Sequence, residues 1–315
     1  MVYYYSGGLT RTMADMLKNV PDFEPIAVLV SQLDRNSIKK MFEYQEEGIV
    51  KQLFIDSGAY SVHTGKAKVD IDEYIDYVNS IDDHIDAVAQ VDTIPGTFGK
   101  PKSKEDYENS SKKSWENFLY MYSKMKSPEK LIPVFHYGES FDTLRNMLEW
   151  RDDNGNKLTY LGISPANDSA QKVKNEYMKN VYDVIAKSSN PNVRTHLFGM
   201  TSLDALSKYP AYSADSVSHR LIGGYNKIMV PEFGVISLSK RSRTTKSKSN
   251  MNFLDTADEM AVAKLKKYLD SLNITLEQCE DHHAARCVVT MCTIAKHLKE
   301  HPYKPANLCK SKRLF

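Results

Sequence analysis

The sequence has no long hydrophobic run. Its longest unbroken apolar stretch covers residues 26–30, which is far shorter than the ~20 residues that a helix needs to cross a bilayer. The first eight residues also lack the basic region and apolar core of a secretory signal. The sequence therefore predicts a cytoplasmic protein that does not associate with a membrane.

Cysteine is scarce and confined to one end of the chain. The four cysteines all lie in the last 37 residues, at Cys279, Cys287, Cys292 and Cys309. A secreted disulfide scaffold distributes its cysteines through a short chain, so this pattern favours a reducing compartment. The clustering leaves a local metal site open as an alternative to buried free thiols.

The chain also has little excess charge of either sign. It carries a formal net charge of +2 over 315 residues, with 41% hydrophobic and 26% charged residues. A disordered chain would have fewer apolar residues or a larger charge imbalance, so these values are typical of a globular protein. The sequence shows neither an internal repeat nor a linker rich in proline or glycine, and its length suits one large barrel or two medium domains.

Short apolar runs rich in β-branched and aromatic residues recur along the first two thirds of the chain. Most are continuous rather than alternating, which is typical of parallel strands buried on both faces. Polar segments with helical periodicity separate them, for example at 70–80, 103–126 and 140–151. The eight predicted strands cover residues 2–5, 26–30, 53–56, 87–92, 132–136, 160–164, 195–199 and 214–217.

Eight alternations of strand and helix predict a (β/α)8 barrel, the TIM-barrel fold, over residues 1–254. Two further helices are predicted at 255–272 and 275–299, which makes residues 255–315 a helical extension packed on the barrel. Thr275 and Gln278 have the spacing of a capping box at the start of the last helix.

One segment departs from the even distribution of charge. Residues 219–250 contain seven basic residues and one acidic residue, so this segment carries +6 and the rest of the chain −4. Its densest part, 240–248, has no apolar side chain and is either a contact for a phosphate backbone or a solvated loop. The cations expected at a backbone contact are Arg220, Lys240, Arg241, Arg243, Lys246 and Lys248.

Polar side chains stand at the ends of several predicted strands. A barrel of this type carries its chemistry at the carboxyl ends of its strands, so these groups are expected to converge. Singly, each has an ordinary structural explanation, such as starting a turn or capping a helix. Together, two carboxylates can divide a reaction at an anomeric carbon between a nucleophile and a proton carrier. The residues are Asp56, Asp92, His136, Ser164 and Asp215.

These strand ends resemble motifs of the tRNA-guanine transglycosylase superfamily. The sequence FIDSGAYS at 54–61 resembles the family's DSGGF/Y-Q signature, and HLFGMTSLDAL at 196–206 resembles its YLMGVG strand and following helix. YSADSVSH at 212–219 resembles the nucleophile strand, while AQVD and PVFHYG fall in order between them. The match spans about half the chain, and it is most similar to the phage-type 7-deazaguanine DNA transglycosylases.

The resemblance implies roles for the carboxylates. Asp215 would attack the anomeric carbon, expel guanine and form a covalent glycosyl–enzyme intermediate. Asp56 would act as the acid and base for the leaving and incoming bases. Asp92 would accept hydrogen bonds from the ring N–H and the exocyclic amine of the base. No cofactor is expected for this chemistry.

The resemblance also implies a base pocket. His136 stands where the family has a glutamine, and a protonated imidazole could donate to the base carbonyl in its place. Gly162 occupies a position where a backbone amide approaches the base. Tyr60 and Phe198 match the two side chains between which the flipped base stacks.

Two departures from the family pattern affect the expected site. Ala59 and Ser61 replace a glycine and a glutamine of the signature near Asp56. The family's Cys-x-Cys-x₂-Cys…His zinc motif is also absent. The residues that could form a structural zinc site in its place are Cys279, His283, Cys287 and Cys309. The alternative is a helix that buries its cysteines as apolar side chains.

The sequence therefore predicts a transglycosylase that exchanges guanine in a nucleic acid for a free 7-deazaguanine base. DNA is the preferred substrate, because no RNA-binding domain is recognised after the barrel, and tRNA is the alternative. If the protein is phage-encoded, it would act in the host cytoplasm. A glycoside hydrolase and a non-catalytic nucleic-acid-binding subunit are further alternatives. The basic segment and the presence of only two tryptophans argue against the first, and retention of Asp56 and Asp215 argues against the second.

Replacing Lys240, Arg241 and Arg243 together by alanine tests the role of the basic segment. A backbone contact predicts weaker binding by a similar factor on every sequence, and a salt slope that falls by about one unit per lost phosphate contact. Turnover at saturating substrate should change little. Titrations against duplex DNA and tRNA at several salt concentrations measure both quantities, and an unchanged slope on both polymers would favour a solvated loop.

Overall fold

A computed structural model describes residues 1–165, 170–200, 202–238, 251–300 and 302. In these residues the chain forms an α/β fold around a nine-stranded parallel sheet. The nine strands are β1 Val2–Ser6, β2 Ile26–Ser31, β3 Val50–Asp56, β4 Ala87–Ala89, β5 Leu131–Ile132, β6 Val134–His136, β7 Tyr160–Ser164, β8 Arg194–Leu197 and β9 Ser213–Ser216. Two further strands, β10 Lys227–Val230 and β11 Gly234–Ser237, form an antiparallel pair.

The sheet is nearly closed into a barrel. Its strand order is β5-β4-β3-β2-β1-β9-β8-β7-β6, so the two edge strands are neighbours in the chain and only Pro133 separates them. The Gln90 N–H donates to the Ile132 carbonyl on one side, and the Gly162 N–H donates to the Pro133 carbonyl on the other, at 3.1 and 2.8 Å. We call this junction the seam.

Nine strands, rather than eight, correct the strict TIM-barrel prediction. All eight predicted segments contain a strand, but the fifth forms both β5 and β6. The cause is Pro133, which has no N–H to donate and interrupts a ladder wherever it lies inside a strand. The fold is therefore a nine-stranded, barrel-like parallel sheet with C-terminal helices.

Helices cover the outside of this sheet, and local side chains define where several begin. Asp70 caps the fourth helix, Ser103 and Asp106 form a capping box on the fifth, and Thr275 and Gln278 form the predicted box on the eleventh. The helices are α1 Arg11–Lys18, α2 Arg35–Glu46, α3 Ala59–His63, α4 Ile71–Ser80, α5 Lys104–Lys124, α6 Phe141–Glu149, α7 Gln171–Lys187, α8 Leu203–Lys208, α9 Ser218–Gly224, α10 Glu259–Asp270, α11 Leu276–Asp281 and α12 His283–Glu300.

The C-terminal helices are joined to the barrel through α12. The Tyr5 hydroxyl donates to the Met291 carbonyl at 2.8 Å, and the Arg286 guanidinium donates to the Gly223 carbonyl at 2.9 Å. The predicted single helix at 275–299 is interrupted at His282, which has extended backbone between α11 and α12. None of the helices in the described ranges is long and apolar enough to span a bilayer.

Aromatic rings fill the inside of the barrel. Tyr4 of β1, Phe54 of β3 and His196 of β8 come from distant parts of the chain, yet their ring centroids lie 4.9–5.9 Å apart. Tyr160 of β7 contacts the same His196 ring. Because side chains alternate along a strand, the next inward positions lie two residues further on, at the carboxyl end of the barrel.

Phe54→Ala tests this interior layer. Phe54 is fully buried, so its truncation should destabilise the fold by about 3–5 kcal/mol through lost transfer energy and a cavity. Chemical denaturation of the variant and wild type measures the difference. Leu119→Ala on the exposed side of α5 is the control, and it should change the free energy of unfolding by less than about 0.5 kcal/mol. Equal effects would show that Phe54 does not pack inside a closed barrel.

Candidate active site

A polar layer lies on top of the aromatic layer, at the carboxyl ends of the strands. Ser6 follows Tyr4 on β1, Asp56 follows Phe54 on β3, and Asp215 follows Ser213 on β9, each two residues further along its strand. The period of two directs these side chains to the same face as Tyr4, Phe54 and Ser213 below them. The sequence-predicted carboxylates Asp56 and Asp215 therefore point into one site.

Asp215 is held by three hydrogen-bond donors, from β1, from β8 and from the turn after β8. The Ser6 hydroxyl donates to Oδ2 at 2.6 Å, while the Gly199 N–H donates to Oδ1 at 2.9 Å. The third donor is Nε2 of His196, at 3.3 Å from Oδ1. The Asp215 side chain is 11% exposed, so these contacts fix its rotamer and replace most of its water.

His196 belongs to a longer buried network that sequence reasoning did not identify. Its ring is fully buried, and Nδ1 lies 2.7 Å from the Ser213 hydroxyl. The Ser213 hydroxyl also bonds to the Tyr160 hydroxyl inside the barrel. This chain of polar groups fixes the imidazole against Asp215, as an orienting residue does in other carboxylate–histidine pairs.

The Asp56 carboxylate depends on a glycine turn. Gly58 has a left-handed backbone with φ of 81°, and its N–H donates to Asp56 Oδ2 at 2.9 Å. A larger residue at position 58 would be strained at this φ, and its Cβ would lie 2.7 Å from the Leu33 side chain, which would have to move. Ala59, in contrast, begins α3 with helical geometry and needs no glycine.

Burial raises the pKa of Asp56 to about 7. The hydrogen bond from Gly58 opposes this shift, whereas the negative charges of Asp92 and Asp215 add to it. The three sequence-predicted aspartates are therefore close enough to influence one another electrostatically. A carboxyl group with this pKa is present in both protonation states near neutral pH, as an acid–base catalyst requires.

Asp92 forms a hydrogen bond with His136. Asp92 follows β4 and His136 ends β6, and His136 Nε2 lies 2.8 Å from Asp92 Oδ2. The other ring nitrogen, Nδ1, lies 3.2 Å from Oε1 of Glu139, a buried residue that sequence reasoning missed. Burial alone would lower the pKa of His136, but its bonds to the two carboxylates outweigh burial and raise it to about 9.

Phe198 forms an aromatic platform beside these groups. Its ring lies 4.4 Å from the His196 ring, edge to face, and 5.9 Å from the Phe54 ring. Gly162 makes room for it, because a Cβ at that position would lie 2.6 Å from Phe198 Cε2. The Gly162 amide donates to Pro133 within the sheet. Gly162 therefore makes room for the Phe198 ring, and its own N–H is engaged within the sheet.

Tyr60 lies at the mouth of the site. It stands in the first turn of α3, directly after the Asp56 turn, and is 64% exposed. Of the two rings expected to sandwich a base, Phe198 is anchored in the structure and Tyr60 is open to solvent. The neighbouring His63 and Phe98 rings meet edge to face at 5.9 Å, so more than one aromatic group borders the mouth.

Arg220 is the member of the predicted basic set that the structure describes. It lies in α9, just after the strand that bears Asp215, and its Nη1 would be 2.9 Å from a Cβ at Gly7. Arg220 therefore packs against the turn that follows β1 and Ser6, close to the polar layer. The other members of the set, Lys240, Arg241, Arg243, Lys246 and Lys248, lie outside the described residues.

Two of the predicted metal ligands, Cys279 and Cys287, lie on different helices, and both are buried thiols. Cys279 is in α11 and Cys287 in α12, where the Cys287 Sγ lies 3.4 Å from His283 Nε2. Burial raises the pKa of Cys279 to about 12 and that of Cys287 to about 11, which opposes the thiolate form that binds metal. The described part of the chain contains no group of three or more potential metal ligands, and Cys309 lies outside it.

Comparisons with known proteins assign no family to the chain. No protein-family model matches it, and a search of curated proteins gives no significant match. The functional argument therefore depends on the geometry of the residues themselves.

Asp56→Asn should change the pH dependence of stability. The folded pKa is raised, so the folded protein holds a proton that the unfolded chain releases between pH ~4 and ~7. Asp56 therefore does not lower the free energy of unfolding below pH ~4. As the pH rises it lowers that free energy increasingly, by about 4 kcal/mol above pH ~7. The variant should be more stable than wild type at pH 8 and equal to it near pH 4.

Denaturant titrations at pH 4, 6 and 8 measure this difference for wild type and variant. Asp83→Asn is the matched control, because the Asp83 side chain is 88% exposed and its removal should give a small difference at every pH. A pH-independent effect of Asp56→Asn would contradict the raised pKa.

Proposed function

We propose that this protein is a transglycosylase that exchanges guanine in a nucleic acid for a free 7-deazaguanine base. The single observation that carries the proposal is that two neighbouring aspartates differ in their hydrogen bonds and in their pKa. Asp215 is fixed by three donors, whereas Asp56 accepts one backbone N–H and has a pKa near 7. One carboxylate suits nucleophilic attack and the other suits proton transfer, which is the pairing that chemistry at an anomeric carbon requires.

The first half of the reaction breaks the bond between the sugar and guanine. A carboxylate oxygen of Asp215 forms an ester bond to the anomeric carbon, and the glycosidic electron pair leaves with the base. Asp56 in its protonated form donates a proton to the departing guanine. Oδ2 of Asp215 accepts one described hydrogen bond and Oδ1 accepts two, so Oδ2 is the oxygen with a lone pair left for attack.

The second half reverses these steps with the new base. The ionised Asp56 removes a proton from the incoming 7-deazaguanine, whose ring nitrogen then attacks the anomeric carbon and releases Asp215. The sugar–phosphate chain is never cut, and neither water nor a cofactor is consumed. Asp56 returns to its protonated form in every cycle, which matches a pKa close to the working pH.

Asp92 and Phe198 are the groups that would bind the base. A carboxylate on the base edge accepts from the ring N–H and the exocyclic amine, both of which guanine and its 7-deaza analogues possess. Phe198 presents a half-buried ring on which a flipped base can stack, and the exposed Tyr60 could cover the opposite face. The interior position of these groups requires that the base leaves its helix before it reacts.

The partner is proposed to be a nucleic acid, with DNA preferred over tRNA. Arg220 beside the polar layer and the basic segment that follows it supply cations for a phosphate backbone. A glycoside hydrolase is less well supported, because Trp115 and Trp150 pack against Phe118 among the outer helices instead of lining the mouth for sugars. A non-catalytic subunit would not need the ordered donors around Asp215.

Exchange of labelled guanine tests the reaction and the substrate together. The protein is incubated with labelled guanine and either duplex DNA or tRNA, and incorporation into each purified polymer is measured. Incorporation into DNA alone supports the proposal, and incorporation into tRNA alone assigns the alternative substrate. Release of base without incorporation would assign a hydrolase, and no reaction with either polymer would contradict base exchange.

Asp215→Asn should abolish exchange while leaving folding and polymer binding close to wild type. The amide lacks the charge that attacks the anomeric carbon, so the loss falls on the transition state. Initial rates and a binding titration measure the two effects, with Asp83→Asn as the exposed control. Mass spectrometry of the trapped wild-type intermediate should place a sugar adduct on the peptide that contains Asp215. Normal exchange by Asp215→Asn would remove this residue from the mechanism.

A further inference from the structure

Three side chains form a continuous buried bridge beside the proposed base pocket. Asp92 Oδ2, both ring nitrogens of His136 and Oε1 of Glu139 are linked by contacts of 2.8 and 3.2 Å. The exposed fractions of the Asp92, His136 and Glu139 side chains are 11%, 7% and 0%. The accessible end of this bridge is therefore Asp92, and Glu139 is its buried anchor.

The hydrogen-bond pattern and the raised pKa of His136 together indicate the charge of the bridge. A carboxylate only accepts hydrogen bonds, so an imidazole between two carboxylates satisfies both by donating from both nitrogens. A histidine with two N–H groups is the imidazolium form. A fully buried carboxylate such as Glu139 is costly unless a cation faces it, and His136 is the cation available.

We propose that Glu139 is a positioning residue for base recognition: it holds His136 as a cationic, doubly donating link that fixes the Asp92 carboxylate in its base-binding orientation. This inference rests on the proposed function for the identity of the ligand. The bridge itself rests on contacts within the chain. Glu139 does not touch the base, and its effect reaches the base through His136 and Asp92.

The position of Glu139 follows from a tight turn. The Glu139 N–H donates to the His136 carbonyl at 3.2 Å, which folds the chain back so that the two side chains meet. Gly138 between them has a φ of 94°, and a Cβ there would lie 2.3 Å from the Tyr107 ring of α5. The turn therefore requires a glycine, because a larger residue would be strained at this φ and would displace the Tyr107 ring.

The bridge leaves one oxygen of Asp92 for the base. His136 occupies Oδ2, so Oδ1 can accept from the donor edge of a guanine-like base. A neutral His136 has one proton for two acceptors and no charge, so whichever nitrogen carries the proton, the charge-assisted hydrogen bond to Asp92 is lost. The Asp92 carboxylate would then be held less firmly in its binding orientation.

Other ionisable groups face the bridge from neighbouring helices. His63 of α3 has its pKa lowered by burial and by the positive charges of Lys102 and His136. Tyr177 of α7 has its pKa raised well above the usual value, chiefly by burial and in part by Glu139. The pKa of His136 itself is raised by the two groups in direct contact with it, Asp92 and Glu139.

Glu139→Gln tests the inference with little change in shape. The amide retains a hydrogen bond to Nδ1 but removes the charge, so His136 should lose its proton at a lower pH than in wild type. At pH 6 the KM for the free base should stay near wild type. At pH 8.5 it should rise about tenfold, the scale of one hydrogen bond to a charged group. The kcat at saturating base should change much less.

Two further variants distinguish positioning from a structural role. Glu139→Asp keeps the charge, so it should retain a higher His136 pKa than Glu139→Gln and much of the wild-type KM at pH 8.5. Glu149→Gln makes the same substitution at an exposed position of α6, and it should leave KM unchanged at both pH values. Thermal melts of each variant confirm that it is folded.

The titration of His136 provides a readout that does not require activity. Imidazole proton resonances followed by NMR should show a titration near pH 9 in wild type and a clearly lower one in Glu139→Gln. An unchanged His136 titration, or a rise in KM that is equal at pH 6 and pH 8.5, would overturn the positioning role. If wild type shows no exchange at all, the proposed function fails, and the NMR titration still decides whether Glu139 sets the charge of His136.

Discussion

The site depends on the alternation of side chains along parallel strands that curve into a barrel. Tyr4, Phe54 and Ser213 face the interior, so the residues two positions later, Ser6, Asp56 and Asp215, must face it as well. A one-residue shift in any of these strands would turn its polar side chain away from the interior and toward the helices. Register therefore fixes the chemistry as firmly as residue type does.

This arrangement gives identical residue types different properties. The aromatic layer removes water from one side of the carboxylates, which raises the energy of their charged forms unless donors compensate. Asp215 has three donors, Asp92 has a cationic imidazole, and Asp56 has a single backbone N–H. Asp56, whose one described donor is an uncharged backbone N–H, has a pKa near neutrality, so the proposed mechanism assigns proton transfer to it.

Much of the fold was predictable because its strands are continuous apolar runs. Each predicted run contains a strand, and several helix starts follow their capping residues, such as Ser103 and Thr275. The division of the fifth run at Pro133 could also have been foreseen, since proline cannot donate to a ladder. The break at His282 has no comparable signal in the local sequence.

The site was predictable only in part, because sequence order does not reveal contacts between strands. Asp56 and Asp215 could be placed from their positions at strand ends. The alternation of side chains along β8 also directs His196 inward, because it lies two residues before Phe198. The sequence therefore contained a signal for His196. Glu139 could not be found in the same way, because its contact with His136 depends on a turn at Gly138 and on the packing of Tyr107 above it.

The seam at Pro133 has a mechanical consequence for the barrel. β4 and β5 are paired at two positions, as are β3 with β4 and β8 with β9, whereas β2 and β3 are paired at six. Opening a closed sheet at its shortest ladders costs the fewest hydrogen bonds, so thermal breathing should concentrate on the arc of the sheet that contains the seam. The strand that ends in His136 lies in this arc, whereas the strands of Asp56 and Asp215 are joined through β2 and β1 by ladders of six, three and four pairs. The side of the barrel mouth that carries Asp92 and His136 can thus widen and contract while Asp56 and Asp215 keep their spacing.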